Sequence, residues 1–161
     1  MKDLQKYYKQ GLAFLNGYGI KCGNITNVSA DTRATHRWGQ TRRYNKTNTY
    51  RITISDRLLQ DNVSDIHLMN TMVHELLHTV DGCMEHRNKW KALADKITAT
   101  SDLTIKRTTS YEEIGIERPK SKYAIKCVVC GKEYERDRAS AIITHCHNYR
   151  CTCGGDLERI R

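Results

Sequence analysis

His74-Glu75-Leu76-Leu77-His78 places two imidazoles four positions apart on either side of a carboxylate. On an α-helix such positions share one face a turn apart, so both rings reach the same point. His86 follows eight residues after His78. Three histidines around one tetrahedral ion leave a fourth position for water, and a neighbouring carboxylate can take that water's proton. The reading predicts His74, His78 and His86 as metal ligands, Glu75 as catalytic base and one catalytic Zn2+, the apparatus of a peptide-bond hydrolase. Taken alone, the pentapeptide also fits two surface histidines and a salt-bridging glutamate.

The surrounding pattern favours the first option. Ile66, Met69, Val73, Leu76, Leu77 and Val80 recur at helical spacing and predict a buried stripe, while His67, Thr71, His74, Glu75 and His78 fall on another side. Ser64 or Asp65 is the expected cap. Asp81-Gly82 reads as a stop, and His86 to Thr98, with Trp90, Leu93, Ala94 and Ile97, reads as a second amphipathic helix. Asp81 is either a ring-orienting partner or a plain helix-ending aspartate.

Ahead of this core, Leu4, Tyr8, Leu12 and Leu15 predict a first helix, with Gly11 a mild internal weakness and Asn16-Gly17 the stop. Shorter β-branched or alternating stretches, 25–28, 34–44 and 49–54, predict a small antiparallel sheet with a hairpin turn at 45–48. Leu103 and Ile105 suit a further strand, and Tyr111-Glu112-Glu113 a loop over the site. The sole proline, Pro119, lies in the polar stretch 117–122, the expected domain boundary. The predicted fold class is α+β: a catalytic domain over 1–118 and a cysteine-rich module over 119–161.

Of seven cysteines, Cys127, Cys130, Cys151 and Cys153 form a C-x2-C and C-x-C pairing near the end of the chain. That spacing can surround one structural Zn2+ tetrahedrally, and Gly131 and Gly154-Gly155 supply tight turns, so a C-terminal zinc ribbon is predicted. His145, Cys146 and His147 stand close enough in sequence to replace Cys151 or Cys153. Cys22 and Cys83 read as small packing residues. No apolar run approaches membrane-spanning length and nothing resembles a signal peptide. The expectation is a reducing compartment, cytoplasmic or nuclear, and no membrane partner.

With 27 Lys and Arg against 18 Asp and Glu, the formal net charge is +9. Such a chain is drawn to polyanions. Between Thr32 and Arg57 the only acid is Asp56, while arginines alternate with Trp38, Tyr44 and Tyr50. Arginine grips phosphate and aromatic rings stack on unpaired bases. Arg37, Trp38, Arg42, Arg43 and Tyr44 are the predicted contacts to DNA, single-stranded or distorted. The competing reading is a solvated strand face.

Together these residues resemble the SprT-like family, whose eukaryotic relative is Spartan, a protease that digests proteins covalently trapped on DNA. The resemblance covers nearly the whole chain: an early helix, Arg37-Trp38-Gly39-Gln40, Ile52-Thr53-Ile54-Ser55, the motif at 74–78, His86 with Trp90 four residues on, and the ribbon around Tyr149 to Gly155. Arg87 stands where the family often has glycine. The resemblance implies a small zinc metalloprotease, cytoplasmic or nuclear, acting on proteins bound or crosslinked to DNA. Two other functions fit the residues: a DNA-binding zinc protein without protease activity, in which Glu85 would close the metal site, and a zinc peptidase with no DNA role.

Overall fold

The computed structural model describes residues 1–161. It divides into two units, Met1–Glu117 and Arg118–Arg161, one residue ahead of the expected boundary. No helix is long and apolar enough to cross a membrane.

In the first unit, α1 (Leu4–Gly17) starts where the Asp3 side chain accepts from the Gln5 and Lys6 amides, satisfying donors that a helix start leaves free. Its Tyr7, Gly11 and Leu15 face inward. Gly11 is more than a weak point. A Cβ there would fall 2.7 Å from Leu76 Cδ1 and 3.1 Å from Met72 Cγ, so α1 approaches the helix carrying His74 closely because this position lacks a side chain.

The sheet is mixed, which corrects the antiparallel expectation. Strands β1 (Asn24–Asp31), β2 (Gly39–Tyr44) and β3 (Thr49–Ser55) lie in the order β1-β3-β2. β2 and β3 form the expected antiparallel hairpin, while β1 runs parallel to β3. The reason is topological: β3 inserts between the two earlier strands, and the chain reverses twice, once between β1 and β2 and again at the hairpin, which leaves β1 and β3 pointing the same way. The central strand carries the apolar load, with Ile52 and Ile54 fully buried. The hairpin turn places Asn48 at φ 49°, a left-handed conformation that asparagine tolerates.

A short 3-10 turn, Asp56–Leu59, leads to α2 (Asp65–Leu77), and α3 (Asn88–Thr100) follows. The buried stripe of α2 is rotated from the predicted one. Leu68 and Met72 are fully enclosed, whereas Ile66 and Met69 are only half-buried. α2 has neighbours in α1, the sheet and α3, so its apolar arc is broader than a one-sided stripe. Ser64 precedes α2 without a side-chain cap bond.

Residues 103–110 form no strand. Leu103 and Ile105 are buried, but their stretch is held by side chains: the Ile105 amide donates to Thr98 Oγ1 at 2.9 Å and the Thr104 amide to Asn70 Oδ1 at 3.0 Å. Backbone donors satisfied in this way need no ladder partner. The segment ends in a one-turn helix, α4 (Tyr111–Ile114), with a capping box between Ser110 and Glu113, where a loop was expected.

The second unit is a three-stranded antiparallel sheet in the order β5-β4-β6, built from β4 (Tyr123–Cys127), β5 (Glu133–Arg136) and β6 (Leu157–Arg159), with the single-turn helix α5 (Ala141–Thr144) beside it. Its core is Ile125, Cys127, Ile143, Cys151 and Leu157. A core this small rarely holds a domain without a metal or disulfide staple.

Candidate metal and catalytic centre

α2 presents His74 near its C-terminal end, and His78 is its last, cap residue, still in the right-handed helical region. The chain then turns through Gly82, at φ 74°, and returns with His86 just ahead of α3. The three Nε2 atoms converge: His74 to His78 3.2 Å, His78 to His86 3.1 Å, and His86 to His74 2.9 Å. Four nitrogens about 2.0–2.1 Å from a tetrahedral zinc would stand roughly 3.3 Å apart, close to these separations.

The tautomers follow from the outer bonds. His74 Nδ1 lies 2.8 Å from the Lys106 carbonyl oxygen and His78 Nδ1 lies 2.9 Å from that of Cys83. A carbonyl only accepts, so both Nδ1 atoms carry the proton and both Nε2 atoms present lone pairs. Burial, with His78 and His86 adding to it, pushes His74 down to about 3. Burial also lowers His78 and His86. Neutral rings whose lone pairs point at one another repel unless a cation sits between them, so the donor set fits a metal ion.

Under the trio lies Trp90, 3% exposed. Its ring stacks on His78 with centroids 5.6 Å apart and meets His74 and His86 edge-on at 4.8 and 4.5 Å. Asp81 and Glu85 play no part in the group. Asp81 is exposed, and the ring-orienting acceptors are backbone carbonyls instead. Glu85 is 65% exposed and pairs with Arg87 at 2.5 Å, so it does not close the site as a fourth ligand; the histidines meet as a group of three.

Glu75 is only 5% exposed, and burial pushes its carboxyl up to about 7, with bonds to Thr41 opposing. Two residues on β2 fix it. The Thr41 hydroxyl lies 2.8 Å from Glu75 Oε2 and 2.8 Å from the Glu75 carbonyl oxygen, so one proton is shared between two acceptors of the same residue. At Gly39, a Cβ would fall 2.5 Å from Glu75 Oε1 and 2.6 Å from Cγ; the carboxylate occupies the space a side chain would take. Neither role is visible in the sequence, because it depends on β2 being the strand that passes the carboxylate.

His74, Glu75, His78 and His86 line a cleft of about 380 Å³. One wall is 36–41, running into β2, whose outer edge has no strand neighbour. The other includes Thr104 and 106–109. Trp38 ties the walls together, its Nε1 donating to the Thr109 carbonyl at 2.9 Å.

The predicted nucleic-acid residues do not form one surface. Arg37 and Trp38 belong to the cleft, and Arg37 pairs with Asp31 at 2.9 Å, holding that carboxyl below its usual range. Arg42 lies directly across the ladder from Arg51, and Arg43 across from Tyr50. Tyr44 lies under the Arg51 guanidinium, 5.0 Å from its ring centroid.

In the second unit, the sulfurs of Cys127, Cys130, Cys151 and Cys153 gather within 4.8 Å of one another. Cys127 and Cys153 are 3.5 Å apart, Cys130 and Cys151 3.6 Å, near the roughly 3.8 Å expected around a tetrahedral zinc with 2.3 Å bonds. The backbone amide of Cys153 and the Tyr134 hydroxyl, 3.1 Å away, push the Cys151 thiol down to about 5, favouring the ligating thiolate. Gly155 lets the knuckles close: a Cβ there would meet Cys127 Sγ at 2.7 Å. His145 and His147 are exposed and stand outside this group, as does Cys146, so the four cysteines alone are positioned as ligands.

The chain thus holds a three-histidine and a four-cysteine group, each positioned for a metal ion. No protein-family model matches the sequence, and no curated protein matches it either.

Proposed function

We propose that this chain is a zinc-dependent endopeptidase of SprT-like type, associated with DNA and cleaving proteins bound or crosslinked to it. The observation that carries the hydrolase reading is the convergence of three Nε2 lone pairs beside one buried carboxylate at an open cleft. His74, His78 and His86 would hold a zinc ion, which would supply Lewis acidity and a water of lowered pKa, about 7.

Glu75 does the proton work. Its Oε2 is engaged by Thr41, so Oε1 receives the proton of the attacking water and later returns it to the departing amine. A substrate polypeptide lies extended along the outer edge of β2, where Gly39 and Gln40 face the cleft. Main-chain pairing to an unpartnered edge gives affinity with little dependence on substrate sequence. The four-cysteine group takes a second, structural zinc, which staples the ribbon. Association with DNA rests on the net charge of +9, and the steep salt dependence of phosphate contacts is its signature.

The test is zinc-loaded protein incubated with a DNA-crosslinked protein, with and without competitor DNA. Metal-dependent fragments that disappear in Glu75→Gln, while zinc content is retained, are expected. Undiminished cleavage by that variant would remove Glu75 as the base. Cleavage indifferent to DNA and salt would leave a peptidase without a DNA role.

A further inference from the structure

A second hollow, about 630 Å³, lies beyond the end of α2 and shares no lining residue with the cleft over the histidines. Three cations reach it from separate elements: Lys21 from the α1–β1 loop, Arg43 from β2 and Lys89 from the first turn of α3. Asp81 is the one acid in its wall. No carboxylate pairs with any of the three cations. Arg43 donates to Asn48 Oδ1 at 2.9 Å and lies over the Tyr50 ring, 5.9 Å from its centroid. Lys89 donates to the Asp81 carbonyl oxygen at 2.6 Å. An amide or carbonyl oxygen orients a cation without neutralising it. The wall therefore holds a net positive charge in a concave space, where field lines are focused.

The positive charge does not stop at the hollow. On the other face of the same hairpin, Arg42 and Arg51 stand directly opposite each other, an arrangement that weakens strand pairing unless an anion lies over it. A single small anion would satisfy the hollow alone; a polymer of phosphates accounts for both.

We infer that the hollow seats the phosphate backbone of a nucleic acid, with Lys21, Arg43 and Lys89 as its contacts, leaving the histidine cleft free for polypeptide. This rests on the DNA-associated part of the function proposed above and relocates its main contacts away from Arg37 and Trp38.

The test compares the wild-type chain with the double variant Lys21→Ala, Lys89→Ala, both positions being exposed and outside the catalytic machinery. Binding of a labelled single strand of about 20 nucleotides is followed by fluorescence anisotropy from roughly 50 to 200 mM salt. Calorimetry with sodium pyrophosphate and cleavage of a small peptide run alongside. The variant should bind the strand more weakly, with the slope of log K against log salt reduced by about 1.4, or about 0.7 for each lost contact, and should cleave the peptide normally. An unchanged affinity and slope would overturn the seat while leaving the DNA-associated reading intact. If the wild type ignores the strand but binds pyrophosphate, and the variant does not, the polymer is overturned, and the DNA reading with it, in favour of a free phosphate ligand. Binding of neither overturns both.

Discussion

Gly39→Ala tests whether the carboxylate of Glu75 is as tightly seated as the structure indicates. The new Cβ would stand 2.5 Å from Oε1, 2.6 Å from Cγ and 2.8 Å from Cδ, against an ordinary contact of at least 3.4 Å, so the carboxylate or the strand must give by about 0.9 Å. The glycine is not in the left-handed region, and alanine strains nothing in the backbone. Overpacking of this kind costs about 1–3 kcal/mol, partly offset by roughly 0.5–1 kcal/mol from replacing a flexible strand glycine, so the variant should fold with a modest loss of stability. A displacement near 1 Å of a reacting group costs on the order of 100-fold in rate. The expected result is therefore a fall in kcat/KM of about 100-fold on a peptide substrate, with zinc content unchanged, because no histidine is touched. Activity within about twofold of wild type would show that the carboxylate is not held against β2 while it works, and the assignment of Gly39 and Thr41 as its seat would be lost.

The remaining predictions concern pH and the four-cysteine unit. In the metal-free protein, Glu75 is raised from 4.5 to about 7 by burial, so its contribution to stability is full below pH 4.5 and is lost as pH rises through 7. Removing the group by Glu75→Gln should stabilise metal-free protein by about 3 kcal/mol at pH 8 and leave it little changed at pH 4, measured by denaturant unfolding; an equal effect at both pH values would contradict the buried-carboxylate account. In the second unit, Cys130→Ser should increase amide exchange across β4, β5 and β6 far more than across α2, since metal binding supplies much of the folding energy of such a module. Equal protection before and after the substitution would argue that Ile125, Ile143 and Leu157 suffice on their own.

What the sequence made legible was whatever depends on spacing along one element. His74, Glu75 and His78 sit within one turn or so of α2, and C-x2-C sits within one knuckle, so their proximity is a local fact. The pairing of β1 with β3 was not legible, because three short strands with similar residues fit either topology, and only the packing of Ile52 and Ile54 decides which strand is central. The same limit hid Gly39, Thr41 and the Lys106 carbonyl that orients His74: each meets its partner across a long stretch of chain. Gly11 read as a helix weakness for the same reason, since its role exists only where Leu76 passes. The basic stretch shows a different limit. Alternate residues of a strand point to opposite faces, so neighbours in the sequence such as Arg42 and Arg43 serve different surfaces.

The segment following α3 connects these parts into one device. Lys106 gives its carbonyl to His74 Nδ1, and Thr109, three residues on, gives its carbonyl to Trp38, which precedes Gly39 on the wall that seats Glu75. Tyr111 then packs on Trp38 with ring centroids 4.7 Å apart, donates to the Thr35 carbonyl, and accepts from Arg57 Nη1 at 3.1 Å. Ring orientation at His74 and the position of the Gly39 wall are thus set by backbone groups three residues apart on the same segment. The candidate metal ligand His74 and the wall that seats Glu75 are therefore braced by one segment, the kind of preorganisation that the proposed hydrolysis would need.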